Sequence, residues 1–362
     1  MENFVLPTFA MFSKISFGDL LMAASRFEVQ IVLVIFHTIF WYFIINRIFY
    51  PFVIRAICGL ECKKQFIEFN RQSFKKLMLW DIGDVEEEQI ETIASIDAVV
   101  LQHLIGGMLC LPSALGLASI FPPGMASAMA CHGGLSEIGY EIEDIMVRLY
   151  EILYGGEKGR RKNPSSVLFG LFAHHSAACC LVVPCNIFYR DNSYIHEAIC
   201  CLQLAAFGAF YLQQYGYTLD VKKQHELTKM KISITLSLVV ILWTRIIRYG
   251  MLWNIVLNQI LEDQNWVMLK CCILPLILLT FFNVGVLIDA TAKFMKFIPM
   301  TVKKDSKNVR ENEESKSDLL LGLRLFDLIL ITSFFTKGTS NLMNKIVDWC
   351  GIQIIDEEKK ID

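Results

Sequence analysis

The sequence predicts an all-α fold: a polytopic membrane bundle of about seven transmembrane helices, one N-terminal anchor followed by a six-helix block. Three observations predict it. Hydrophobic residues make up 54% of the 362-residue chain and charged residues only 19%. The apolar residues fall in long blocks near the ~20 residues a helix needs to cross a bilayer. Basic residues gather in every second connection between blocks, as they do when positive charge is held on the cytoplasmic side. A formal net charge of −2 gives no basic footprint for nucleic acid.

The first block, 29–45, follows a segment with no basic leader and no small-residue cleavage site, so it is expected to remain as an anchor. Connection 46–92 carries Arg47, Arg55, Lys63, Lys64, Arg71, Lys75 and Lys76 and ends in Glu86-Glu87-Glu88. The blocks 95–121 and 126–153 are separated by Pro122-Pro123-Gly124, a turn by composition. Lys158, Arg160, Arg161 and Lys162 precede block 165–189, and Arg190-Asp191-Asn192-Ser193 leads into 195–217. Lys222, Lys223, Lys229 and Lys231 precede 232–257, the Glu262-Asp263-Gln264 turn precedes 267–297, and Lys293, Lys296, Lys303, Lys304, Lys307 and Arg310 cluster at the end of that block and beyond it. This alternation puts the N-terminus in the lumen and the end of the seventh span in the cytosol.

A further apolar block, 319–335, sits at the lower length limit for a span and carries Arg324 and Asp327 near its middle. It is expected to lie along the cytoplasmic leaflet. Residues 301–317 have the composition of a flexible linker. The chain therefore divides into 1–92 (N-terminal segment, anchor and cytoplasmic loop), 93–297 (six-helix membrane domain) and 298–362 (cytoplasmic tail). It ends Lys359-Lys360-Ile361-Asp362, which resembles the dilysine retrieval signal that coat proteins read on endoplasmic reticulum membrane proteins.

Ionisable side chains inside the spans carry the chemistry, since each costs about 2.5–3.5 kcal/mol near the bilayer centre and needs an inward face or a partner. Glu137, Glu141, Asp144 and Arg148 follow helical offsets of four, seven and eleven, on one face with Tyr140 beside them. Asp144 lies nine residues before the end of its span and His174 nine after the start of the next, so the two are level, about 14 Å from the cytoplasmic end. Gln203, Arg245, Asn283 and Asp289 fall in the central or cytoplasmic parts of their spans. Together these residues are expected to line a polar chamber open to the cytosolic leaflet. His174 or His175 would act as a base, oriented by Asp144 or Glu141, while Tyr140, Gln203, Arg245, Asn283 and Asp289 contact a membrane lipid or acyl-CoA. In the bland alternative the charges neutralise one another, Asp144 or Glu141 with Arg148 and Asp289 with Arg245.

Adjacent helical residues project about 100° apart, so His174 and His175 are expected to point to different places. Two histidines and a carboxylate are a zinc or iron donor set, but no HxxxH or ExxH aligns ligands on one helix, and no metal or cofactor is predicted. The twelve cysteines fall mostly in apolar spans without CxxC pairs, as soft packing residues do. Cys58 and Cys62, beside the first span, leave reversible acylation open.

The segment Gly139-Tyr140-Glu141-Ile142-Glu143-Asp144 ahead of a span bearing His174-His175 resembles the TLC-domain proteins, which include ceramide synthases and translocation-associated membrane proteins. The resemblance covers about 93–297, and Arg245 is similar to an arginine in a later span of that family. It implies a six-helix lipid-handling domain in the endoplasmic reticulum. Ceramide synthases carry a His-Asp-x-x-Asp motif in the span after His-His, whereas the stretch here is Cys200-Cys201-Leu202-Gln203-Leu204-Ala205-Ala206-Phe207. The resemblance thus implies a lipid-homeostasis factor ahead of an acyltransferase using His174 and His175. A transporter or seven-helix receptor would also place charges in mid-membrane, but the hydropathy shows no inverted repeat.

Overall fold

A computed structural model describes residues 13–78 and 80–301. The block 319–335 and Lys359-Lys360 lie outside the described residues.

Among the described residues the chain forms helices and no strand. A short α1 (Phe17–Leu21) is closed by a capping box: Asp19 N–H donates to Ser16 Oγ, and Ser16 N–H donates to the Asp19 carboxylate. Then come α2 (Phe27–Phe43), α3 (Tyr50–Cys58), α4 (Lys63–Met78), α5 (Glu86–Asp97), α6 (Val99–Ala114), α7 (Met125–Tyr154), α8 (Gly156–Lys162), α9 (Ser165–Phe188) and α10 (Ser193–Thr218). The series closes with α11 (Gln224–Ile241), α12 (Tyr249–Glu262) and α13 (Trp266–Phe297). Two π-helical segments, Ile44–Phe49 and Leu242–Arg248, fuse α2 to α3 and α11 to α12.

Six of the resulting helices are long and apolar enough to cross a membrane: Phe27–Cys58, Glu86–Ala114, Val167–Phe188, Ser193–Thr218, Gln224–Glu262 and Trp266–Phe297. The remaining long helix, α7, has 30 residues, about 45 Å at 1.5 Å per residue. Its charges keep it from reading as apolar, yet Glu141, Glu143 and Arg148 are buried among its neighbours. The molecule is an all-α membrane bundle.

Three boundaries differ from the sequence expectation. The first helix does not stop at 45 but continues to Cys58, so Arg47 and Arg55 ride on the helix rather than in a loop. The second ends at Ala114, not 121, because Gly116 takes the left-handed conformation (φ +68°) that closes a helix. The sixth runs from Gln224 to Glu262, taking Lys229 and Lys231 into its first turns.

Small residues set how closely the axes approach. A Cβ on Gly139 would lie 2.7 Å from the His37 carbonyl carbon, and one on Gly133 would lie 2.6 Å from the Gly106 carbonyl oxygen. These glycines let α7 meet α2 and α6 at near backbone contact, as small residues do between membrane helices.

One end of the bundle is closed by α4. Phe66 and Phe74 pack with Trp80, Ile93, Tyr217, Met230 and Phe297. In the connection after α4, the Lys75 ammonium and the Gly83 N–H hold the Asp81 carboxyl below the usual carboxylate range. At the end marked by Arg190, polar groups tie the turn before α2. Asn186 Nδ2 donates to Gln30 Oε1 (3.1 Å), Gln30 Nε2 to Ala24 O (3.0 Å) and Arg190 Nη2 to Met22 O (2.6 Å).

Candidate functional site

Inside the bundle is a cavity of about 300 Å³, walled by side chains from α4, α5, α6, α7, α9, α10, α11, α12 and α13 and from the second π segment. All eleven side chains the sequence picks out inside the spans line it: Glu137, Tyr140, Glu141, Asp144, Arg148, His174, His175, Gln203, Arg245, Asn283 and Asp289. The rest of the wall is largely apolar, with Leu171, Ala178, Leu181, Val182, Ile199, Ala206, Phe210, Ile234 and Leu279 among it.

The polar groups form three clusters. The first joins α7 to α9. His175 Nε2 lies 3.2 Å from Asp144 Oδ2, and since a carboxylate only accepts, the ring donates there. The same carboxylate accepts two bonds from Arg148 Nε, both 2.9 Å, and Arg148 Nη1 donates to Asn163 Oδ1 at 3.0 Å. Asn163 is fixed in turn by donating to Glu151 Oε2 and Gly159 O. His175 therefore stands at the end of a buried chain, Asn163–Arg148–Asp144–His175. Its other nitrogen, Nδ1, faces Glu141 Oε1 at 3.3 Å, and His174 Nε2 approaches the same oxygen at 3.8 Å. The His174 ring is held by stacking on Phe282 of α13, centroids 4.2 Å apart and planes 21° from parallel. In the second cluster, Glu137 Oε2 accepts from His103 Nδ1 of α6 at 3.1 Å. The third is carried by the second π segment, α10 and α13. Arg245 Nη1 donates to Asn283 Oδ1 (2.9 Å) and Nη2 to Leu202 O (3.1 Å), while Lys293 donates to Asp289 and to Gln213 Oε1.

Several expectations change here. Arg148 does neutralise Asp144, as the bland alternative held, but Asp289 pairs with Lys293 and not with Arg245. A lysine four residues on along α13 reaches that carboxylate within one helical face. His175, not His174, takes Asp144. The two imidazoles do not diverge to separate partners: both meet Glu141, because a long glutamate on the facing helix lies between their two directions. Gln203 spends its amide on the Gly133 carbonyl (3.2 Å) as well as lining the cavity. Among the described residues the cysteines are free, most of them buried. His196 sits apart with Ser113 (2.7 Å), and Glu197 with Arg248 (2.6 Å).

Sequence reasoning missed His103, Phe282, Asn163 and Lys293. A histidine in mid-span was the available signal for His103, the same one that marks His174. Nothing in the sequence pairs Phe282 with His174, since stacking depends on how α9 and α13 cross. The donor atoms of Glu141, His174 and His175 all lie within 4.8 Å of one another. A spacing rule confined to one helix does not see this group, because its members come from two.

No family model, no curated protein and no solved structure matches this chain.

Proposed function

We propose that this protein handles membrane lipid: it admits an acyl chain or lipid into the bundle and holds the polar end at the Glu141–His175–Asp144 cluster. The observation that carries this reading is one cavity whose wall is largely apolar, with charged groups set into it. Its volume, about 300 Å³, lies at the lower edge of the ~300–1,000 Å³ typical of small-molecule sites. The Gly139-Tyr140-x-x-x-Asp144 and His174-His175 segments add their resemblance to TLC-domain proteins, and with it a role in lipid homeostasis at the endoplasmic reticulum. The N-terminus would face the lumen and the C-terminus the cytosol, with Lys359 and Lys360 recognised by coat proteins.

A second reading, acyl transfer from acyl-CoA, is favoured by one detail. His175 is oriented by a carboxylate that is itself held by arginine, the arrangement a general base needs.

Two measurements test these readings. A photoactivatable, clickable fatty acid added to membranes should label cavity-lining peptides of α9, α10 and α11, and Ala206→Trp, which fills the cavity, should abolish the labelling. Labelling that persists unchanged in Ala206→Trp overturns the lipid-binding reading. Lipid profiles of knockout cells rescued with wild type, His174→Ala/His175→Ala or Asp144→Asn, at equal membrane abundance, then separate the two roles. Loss of one acyl-lipid product in both variants supports catalysis, and full rescue by both leaves a binding factor.

A further inference from the structure

We infer that Glu141, His174 and His175 form a binding site for one divalent transition metal ion of the zinc or iron class, inside the membrane bundle. The first observation is the donor set. Two imidazoles and one carboxylate with their donor atoms within 4.8 Å are the ligands of open zinc centres and of non-haem iron centres, which keep further positions free.

The second observation is that the inward-facing atoms lack partners. Glu141 is 1% exposed and His175 4%, yet Glu141 Oε1 and His175 Nδ1 have no hydrogen bond among the described residues. A buried carboxylate oxygen or imidazole nitrogen left unpaired costs about 1–3 kcal/mol, more when charged. The two atoms lie 3.3 Å apart without hydrogen-bond geometry. Donors at ~2.0–2.1 Å from a tetrahedral ion sit about 3.3–3.4 Å apart, so an ion between them satisfies both. His174 Nε2 stands 3.8 Å from the same oxygen and the three donors lie within 4.8 Å of one another, so binding draws the His174 ring inward.

The third observation concerns tautomer. Asp144 stands 3.2 Å from His175 Nε2 and accepts from it; with the ring neutral, that donation leaves the Nδ1 lone pair facing Glu141 and free for a metal ion. A ligating histidine that donates its other nitrogen to a carboxylate is the usual support around bound metals. Arg148 and Asn163 extend that support by fixing Asp144. Asp144 is thus a positioning residue and Glu141, His174 and His175 are the ligands. The inference stands independently of the lipid-binding reading, since metal content and lipid labelling are measured separately.

The test uses the full chain purified in detergent. Metal content is read by inductively coupled plasma mass spectrometry on protein as isolated, then after chelation and reloading with Zn²⁺, Fe²⁺ without oxygen, or Co²⁺ alone. Wild type should carry close to one equivalent of zinc or iron, and reloaded Co²⁺ should give visible ligand-field bands. Glu141→Gln and His174→Ala/His175→Ala should lose the metal. Asp144→Asn should keep the site with affinity lowered about 10–100-fold, the loss typical of a supporting partner, which a residue serving only packing would not produce. His196→Gln, a buried histidine elsewhere, should keep full metal content. Should the ligand variants fail to fold, the chelated and reloaded wild type decides. Wild type that takes up none of the three ions overturns the inference. So does metal content unchanged in Glu141→Gln.

Discussion

At the scale of single residues, the site depends on charges that satisfy one another out of water. Arg148 is 5% exposed and donates twice to Asp144. Removing one partner of a buried pair typically costs about 3–5 kcal/mol because the other charge is stranded. Arg148→Met is therefore expected to lower the detergent melting temperature strongly, and adding Asp144→Asn should restore part of the loss. A double-mutant cycle on melting checks this: additive effects would mean the pair is not coupled. Gly139 tests close packing. Gly139→Leu would drive a side chain into the backbone at His37 and Thr38, with an overpacking cost of about 1–3 kcal/mol or more. It should lower the melting temperature while leaving the charge pairs chemically intact. The face holding Glu137, Glu141, Asp144 and Arg148 was legible in the sequence, because helical periodicity alone puts these residues together. The convergence of both imidazoles on Glu141 was not, since it depends on the placement of a facing helix.

At the scale of elements, the decisive departures are the π segments. Leu242–Arg248 sits in mid-helix and holds both Arg245, which reaches Asn283, and Arg248, which clamps Glu197 with two bonds of 2.6 and 2.7 Å. π segments of this kind cost regular hydrogen bonding and recur at functional sites. A π turn carries one residue more than the α turn it replaces. Deleting Ile247 should therefore convert the segment to regular α-helix with α12 facing as before, so Leu252, Trp253, Val256 and Ile260 stay buried. The deletion is expected to keep melting temperature and folded yield near wild type; a sharp loss of either would show that the packing of α12 needs the extra residue. Apolar blocks and basic connections gave away the order of the long helices, six of them apolar enough to cross a membrane against the seven expected, but not π segments or long overruns such as Phe27–Cys58. A π segment leaves no composition signal, and Arg47 and Arg55 look like loop residues because their charge is read without their helix.

At the scale of the whole molecule, α7 is the organising element. It packs against α2, α6 and α9 while turning its charges into the cavity. Orientation is a separate prediction, resting on the basic connections. A glycosylation acceptor inserted in the connection 190–193 should be modified in cells, and one inserted at 155–163 should not. The reverse pattern, read as a mobility shift removed by glycosidase, would invert the proposed topology.

By itself the sequence determined the all-α membrane class, the helix order and most of the charged and polar side chains that line the cavity. Those follow from local rules: an apolar block of about 20 residues prefers lipid, and a charge within it prefers the bundle interior. Only the tertiary structure decided the pairings between helices. It gave Arg245 to Asn283, Asp144 to His175, and both histidines to Glu141. Helical offsets fix a residue's direction on its own axis, whereas partner choice depends on crossing distances and rotations set by Gly106, Gly133 and Gly139 at the helix contacts.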